Sequence, residues 1–251
     1  MASLVFVFMQ ACSQGGQPRA EAPPLAAPVG PFVYAAVGAS ETLGAGTRNP
    51  RREAWPQLFY RQSLPVSATF YDFGIPSEST AAAIDQELPE ALSVRPDLVT
   101  VWLNVDDIIG GVPSDQYERS LDRLVAALRQ DGHADVLVAN TPSLDRLPAY
   151  RLCLESSTAC PLPGHKLPPP ADLESIVAAY NAAIARVVVK EGAVLVDLAA
   201  GGDVADAHPD WIGSDGFHPS AAGHVVIAAA FSAAFAGRTP QSGIRDRPNP
   251  L

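Results

Sequence analysis

The chain is short of cysteine, methionine and positive charge. It has three cysteines and two methionines in 251 residues, and 17 lysines and arginines stand against 27 aspartates and glutamates, a formal net charge of −10. No run of Lys or Arg occurs, which excludes binding to nucleic acid through counterion release, so no nucleic-acid partner is expected. The acidic balance otherwise bears on solubility. No metal-ligand motif of the H-E-x-x-H type is present, and there is no internal repeat. What is present is a globular composition, 47% hydrophobic and 18% charged, in a chain long enough for one α/β domain with a sizeable core.

The first residues, MASLVFVFMQAC, hold an apolar stretch of about ten residues ending at Cys12. It is too short to span a bilayer and resembles the apolar region of a signal peptide. Met9-Gln10-Ala11-Cys12 loosely resembles a bacterial lipobox, although Gln10 is polar and no Lys or Arg precedes the apolar run. The other reading is a frayed apolar terminus. Residues 13–30, rich in Gly, Pro, Ala and Gln, read as a flexible linker. The expected organisation is therefore a leader over 1–12 with Cys12 as lipidation candidate, a tether, a folded domain over 31–237 and a loose tail over 238–251. This predicts an exported bacterial protein, secreted or held at the cell envelope through Cys12. With Cys12 removed or lipidated, Cys153 and Cys160 remain, seven apart in a Pro- and Ser-rich loop. An exported protein would join them in a disulfide, and a reduced compartment would leave two thiols. The pair alone lacks the further ligands of a metal site.

Short apolar runs alternate with helical periodicities, the pattern of a parallel sheet covered on both faces. The expected strands are Phe32 to Val37, Val66 to Phe73, Leu98 to Leu103, Asp135 to Ala139 and Ala193 to Leu198; the second is more mixed than the others. Leu121, Leu124, Val125 and Leu128 form a stripe between Ser114 and Gln130, with Gly132 to end the helix. A second stripe runs from Leu173 to Val188 before Gly192, and a last helix is expected from Ser220 to Ala236.

Ligands of such sheets bind beyond the carboxyl ends of the strands. Ser40, in the glycine-rich stretch VYAAVGASETLGAGT, follows the first strand. A serine hydroxyl becomes a nucleophile only beside a base. Of the five histidines, His133 lies at the wrong end of the sheet, His165 in the Pro-rich loop and His224 inside the last helix. His208 and His218 lie in the long loop after the fifth strand. His218 has the better setting, because in DGFHPS an aspartate at Asp215 can fold back onto its Nδ1. The local motif serves equally well as an ordinary turn with a surface histidine.

Gly38-Ala39-Ser40, Gly74 after the second strand, WLNVDD at 102–107 and DGFH at 215–218 together resemble the four blocks of the SGNH/GDSL hydrolases, in order and over about 180 residues. The resemblance implies a three-layer α/β/α sandwich with a flavodoxin-like five-stranded parallel sheet. It implies a lipase-like esterase working through an acyl-enzyme without a cofactor, with Ser40 as nucleophile, His218 as base and Asp215 as its orienter. The Ser40 and Gly74 N–H groups belong to the oxyanion hole by the same pattern.

Two positions depart from it. Ala39 replaces the aspartate of Gly-Asp-Ser, a tolerable change because that aspartate is outside the triad. More seriously, the family's Gly-x-Asn-Asp is Asn104-Val105-Asp106-Asp107, which puts a carboxylate where an amide should donate. Asn104 could supply the amide, since positions two apart at a strand end share a face. Asp106 could be protonated through burial beside Asp107. Or the protein could be a weak or inactive member that binds a glycan or lipid.

Thr141, Pro142 and Ser143, after the fourth strand, are expected to border the pocket. The expected partner is a small-molecule, lipid or acylated-carbohydrate ester, handled by a monomer. A different chemistry is also open, because Asp72, Asp106, Asp107, Asp203, Asp206, His208, Asp210 and Asp215 all fall near strand ends or in the fifth-strand loop. They could hold a metal, but DVADAHPD lacks the glycine and glutamate of a calcium loop.

Overall fold

The computed structural model describes residues 31–156, 158–161 and 168–238. The leader with Cys12, the tether and the tail beyond residue 238 lie outside the described residues. The strands are β1 (Val33–Gly38), β2 (Thr69–Asp72), β3 (Leu98–Trp102), β4 (Asp135–Ala139) and β5 (Val194–Val196). The helices are α1 (Pro50–Glu53), α2 (Trp55–Ser63), α3 (Thr80–Ser93), α4 (Val105–Ile109), α5 (Ser114–Arg129), α6 (Pro148–Glu155), α7 (Pro170–Glu191), α8 (Val204–Ala207) and α9 (Ala221–Gly237). No described helix is long and apolar enough to cross a membrane.

All strand pairings are parallel and the sheet order is β2-β1-β3-β4-β5. Alternation along the central strands feeds two cores. Ala35 and Val37, Val99 and Val101, and Val136 and Val138 pack with Leu121, Leu124, Tyr180 and Ile184 of α5 and α7. Tyr34 and Ala36, Leu98 and Trp102, and Leu137 and Ala139 pack with Trp55 and Phe59 of α2 and Phe231 of α9. Burial on both faces is why these strands read as nearly continuous apolar runs. The fold is the expected three-layer sandwich.

Local differences have local causes. The second strand starts at Thr69 rather than Val66, which is 90% exposed, and as an edge strand it fully buries none of its residues. α5 ends with Gln130 in the left-handed region (φ 48°), two residues before the glycine expected there. α7 does end on Gly192, at φ 64°. α3 carries no continuous apolar stripe, because Pro89 and the buried Glu87 interrupt it. The Ser79 side chain caps its start, accepting from the Ala82 N–H at 3.2 Å.

Strand order reverses between β1 and β3, so the crevice beyond their carboxyl ends is the topological switch point. Ser40 follows β1 and residues 104–107 follow β3, on its two sides.

Candidate active site

Ser40 sits in a tight turn at the end of β1, in which the Thr42 N–H donates to the Ala39 carbonyl (3.1 Å) and the Ala45 N–H to that of Ser40 (2.9 Å). Gly38 is required there: a Cβ would fall 2.1 Å from Thr42 Oγ1 and 2.9 Å from the Trp102 carbonyl. Gly46 (φ +87°) brings the far end of the turn against the histidine loop, where a Cβ would lie 2.2 Å from the Pro219 carbonyl. The histidine loop is braced by an antiparallel bridge between Ile212 and Pro219, and by the Gly213 N–H donating to the His218 carbonyl at 2.7 Å.

These supports place Ser40 Oγ 3.0 Å from His218 Nε2. His218 Nδ1 lies 2.7 Å from Asp215 Oδ2, and Asp215 Oδ1 accepts from the Phe217 and His218 N–H groups at 2.9 and 3.0 Å. Partial burial works upward on the Asp215 carboxyl, but the His218 ring and the two N–H donors outweigh it and hold it below the ordinary aspartate value. An ionised Asp215 selects the tautomer with hydrogen on Nδ1, leaving Nε2 to accept the serine proton. His224 stays apart from this chemistry. Its Nδ1 accepts from the Trp55 N–H (3.2 Å) and its Nε2 meets the Ala45 carbonyl (3.0 Å), so it ties α9 to α2 and to the serine turn.

The opposite wall of the site is acidic. Glu41, only 7% exposed, accepts a hydrogen bond from Ser40 Oγ at 3.3 Å. Burial raises its pKa, against weaker lowering by its own backbone, His218 and Ser40. Asp106 lies on the first turn of α4; burial, then the carboxylates of Glu41 and Asp107, push its pKa up to about 7 against the pull of His218. Asp107 is buried and accepts from the Thr80 N–H (2.9 Å) and Oγ1–H (2.8 Å) at the start of α3. Glu87, raised to about 8 by burial, accepts from the Gly38 N–H at 2.8 Å.

Gly74 is carried to Ser40 by the edge of the sheet. The Phe73 and Ile75 N–H groups donate to the carbonyls of Ala36 and Gly38, each at 2.9 Å, which lays the chain along the serine turn. A Cβ on Gly74 would lie 3.2 Å from the Ala39 carbonyl. The Gly74 N–H donates to Asp72 Oδ1 at 3.1 Å, and burial raises that carboxyl to about 6.

Two expected positions fall elsewhere. Asn104 is 2% exposed and its Nδ2 donates to the Ala139 carbonyl (3.3 Å), away from Ser40. The strand alternation that would have aligned it with Asp106 ends at Trp102, because α4 begins at Val105. Thr141 is fully buried and exchanges hydrogen bonds of 2.8 and 2.9 Å with the Asn181 side chain of α7. Pro142 and Ser143 do line the cavity beside Glu41. Cys153 and Cys160 are joined in a disulfide.

The remaining acids are dispersed. Asp206 pairs with Arg151 (3.0 Å), Asp203 accepts from Ser143 (3.1 Å) and His208 stacks on Trp211 (3.8 Å). No three metal-binding side chains converge among the described residues.

A parallel sheet of this order, with a serine after β1 meeting a histidine and an aspartate from the loop after β5, is the arrangement of an SGNH-type hydrolase. Residues 36–226 match the GDSL-like lipase/acylhydrolase family, and the chain belongs to that family. No curated protein matches it in sequence. Among solved structures it is similar to the psychrotrophic esterase EstA from Pseudoalteromonas sp., with 16% identity over 81% of this chain and 96% of that one and a TM-score of 0.60. LAE5, an alpha/beta hydrolase from the metagenome of Lake Arreo, shares 21% identity over 83% and 96% of the two chains, with a TM-score of 0.60. A member of the lipolytic G-D-S-L family from Veillonella parvula shares 13% over 82% and 100%, with a TM-score of 0.61.

Proposed function

We propose that this hydrolase cleaves carboxylic esters through an acyl-enzyme on Ser40. The observation that carries the reading is the unbroken chain from Ser40 Oγ to His218 Nε2 (3.0 Å) and from His218 Nδ1 to Asp215 (2.7 Å). His218 takes the serine proton as Oγ attacks the ester carbonyl, and the carbonyl electron pair moves onto oxygen. Collapse of the tetrahedral intermediate expels the alcohol, which His218 protonates. Water then attacks the acyl-enzyme by the same route and frees Ser40.

The oxyanion is held by the Ser40 and Gly74 N–H groups and by Asp106 in its protonated form. A carboxylate can only accept, whereas a carboxylic acid donates one O–H. Burial and the Glu41 and Asp107 charges favour that acid form. Gly74 N–H turns from Asp72 to the oxyanion when substrate binds. Removing one such donor costs roughly 10²–10³ in rate.

The solved relative EstA was crystallised inhibited by monoethylphosphonate. A reactive ethyl phosphonate ester should likewise modify this protein at Ser40, read as one added mass on the peptide carrying it. Modification that persists in Ser40→Ala, or turnover of p-nitrophenyl esters unaffected by that change, refutes the reading. The leader, Cys12 and the tether complete the proposal as an exported, lipid-anchored enzyme. Labelling with a radioactive fatty acid that disappears in Cys12→Ser tests that part by itself.

A further inference from the structure

The strand ends enclose a second feature that the triad does not use. A cavity of about 190 Å³ lies beside Glu41, Phe217 and Pro219, the chain neighbours of Ser40 and His218. Its walls come from the segments that follow four of the five strands. Glu41 follows β1, Val105 follows β3, Pro142, Leu144 and Leu147 follow β4, and Leu198 and Val204 follow β5. Trp211 and Ile212 of the histidine loop and Ile227 and Ala230 of α9 close it. The cavity is therefore placed where ligands of this sheet type bind, and it is larger than the small voids of a packed interior.

Its surface is almost wholly apolar, and among the described residues no lysine, arginine or histidine lines it. Apart from Trp102, whose buried Nε1–H has no partner among the described residues, the hydroxyl and carboxylate side chains in its wall are already hydrogen-bonded. Ser143 Oγ donates to Asp145 (2.8 Å), and Asp197 Oδ1 accepts from Asn140 Nδ2 (2.7 Å) and the Ala200 N–H (3.1 Å). Glu41 holds Ser40. A sugar or a charged chain would lose its water there and gain at most the single Trp102 N–H in replacement. An apolar cavity of roughly 150 Å³ stays dry and accepts benzene.

We infer that this cavity is the specificity pocket of the same site, and that it selects esters carrying one compact apolar group, a single ring or a chain of roughly six to eight carbons. The inference rests on the ester-hydrolase reading. It says that polysaccharide acetates and long lipids are poorer substrates than medium-chain or aromatic esters. A built-in partition sets the upper limit. Leu144, Leu147 and Phe217 separate this cavity from a hollow of about 20 Å³ under Tyr150 and Leu173. Shortening Leu147 joins the two.

The test is a pair of kcat/KM series. One takes p-nitrophenyl esters from acetate to laurate; the other takes acetates of ethanol, hexanol and benzyl alcohol. In the wild type one series should climb by about fourfold per methylene, the worth of burying each one, and stop near hexanoate to octanoate or the hexyl and benzyl esters. The series that climbs tells whether the acyl or the alcohol side enters. Ala230→Phe fills the pocket and should lower the ratio of long to short substrate at least tenfold. Leu147→Ala should move the optimum two or more carbons longer, a gain that misfolding cannot imitate, and it decides alone if Ala230→Phe does not fold. Flat series in the wild type, or optima unmoved in the soluble variants, overturn the pocket while Ser40-dependent turnover leaves the hydrolase standing. Absence of turnover above the Ser40→Ala background for every ester removes both.

Discussion

The two halves of the active site are built on opposite principles. On the proton-transfer side every polar group has a complementary partner: Asp215 is ionised and anchored by two N–H donors, and His218 is oriented by it toward Ser40. On the oxyanion side the groups are alike. Glu41, Asp72, Glu87 and Asp106 all have raised pKa values, each chiefly through burial. The first half works through the charge on Asp215 and the second through Asp106 staying protonated, a state that burial and the Glu41 and Asp107 charges favour. A half that depends on one protonated acid responds to pH in a way that the first does not.

Breaking the proton-transfer half should give the largest effect. Ser40→Ala or His218→Ala should lower kcat/KM for a p-nitrophenyl ester by about 10³-fold or more, since triad members act as a unit. Thermal unfolding of the Ser40→Ala protein should stay close to the wild type, because the change removes a single oxygen atom. An Asp215→Asn protein as active as wild type would show that the aspartate orients nothing.

The next effect is on stability and belongs to the acidic half. Glu87 has an ordinary value of 4.5 and is raised to about 8 in the fold. The folded state therefore binds its proton more tightly than the unfolded chain. Its stabilising contribution is complete below pH 4.5 and is lost as pH rises through about 8. Denaturant unfolding should show wild-type stability falling across that window by on the order of 2–4 kcal/mol, part of it from Glu87. Glu87→Gln keeps an oxygen to accept the Gly38 N–H and removes the charge, so its stability should fall distinctly less. Parallel curves for the two proteins would show that Glu87 is ionised in the fold at neutral pH.

The same contrast explains what was legible in the sequence. The proton-transfer half was readable because its parts are local: Asp215 and His218 are three residues apart, and each block follows a strand whose apolar run marks it. The acidic half was not, because it is assembled across the sheet. Glu87 comes from α3, a helix hidden by its internal proline, and reaches Gly38 from 49 residues away. The position of Asn104 was missed for a related reason. Strand periodicity was extended past Trp102, where the chain had already begun to turn into α4. The apolar cavity was invisible for the same cause, since its wall residues are contributed a few at a time by six segments.

The smallest effect should be the most informative about the oxyanion side. Asp106, raised to about 7, donates to the oxyanion while protonated and repels it once ionised. kcat/KM should therefore fall as Asp106 ionises above about 7, an alkaline limb on the pH profile. In Asp106→Asn the side chain is a donor at every pH. The alkaline limb should then disappear, with the variant about tenfold faster than wild type at high pH and within a few-fold of it below neutrality. Burial is the largest cause of the Asp106 shift and the Glu41 charge the next, so Glu41→Gln should move the wild-type alkaline limb to lower pH without abolishing it. A variant Asp106→Asn that is slower throughout the range would assign the carboxylate a role other than donor, and the two halves of the site would no longer differ in the way described.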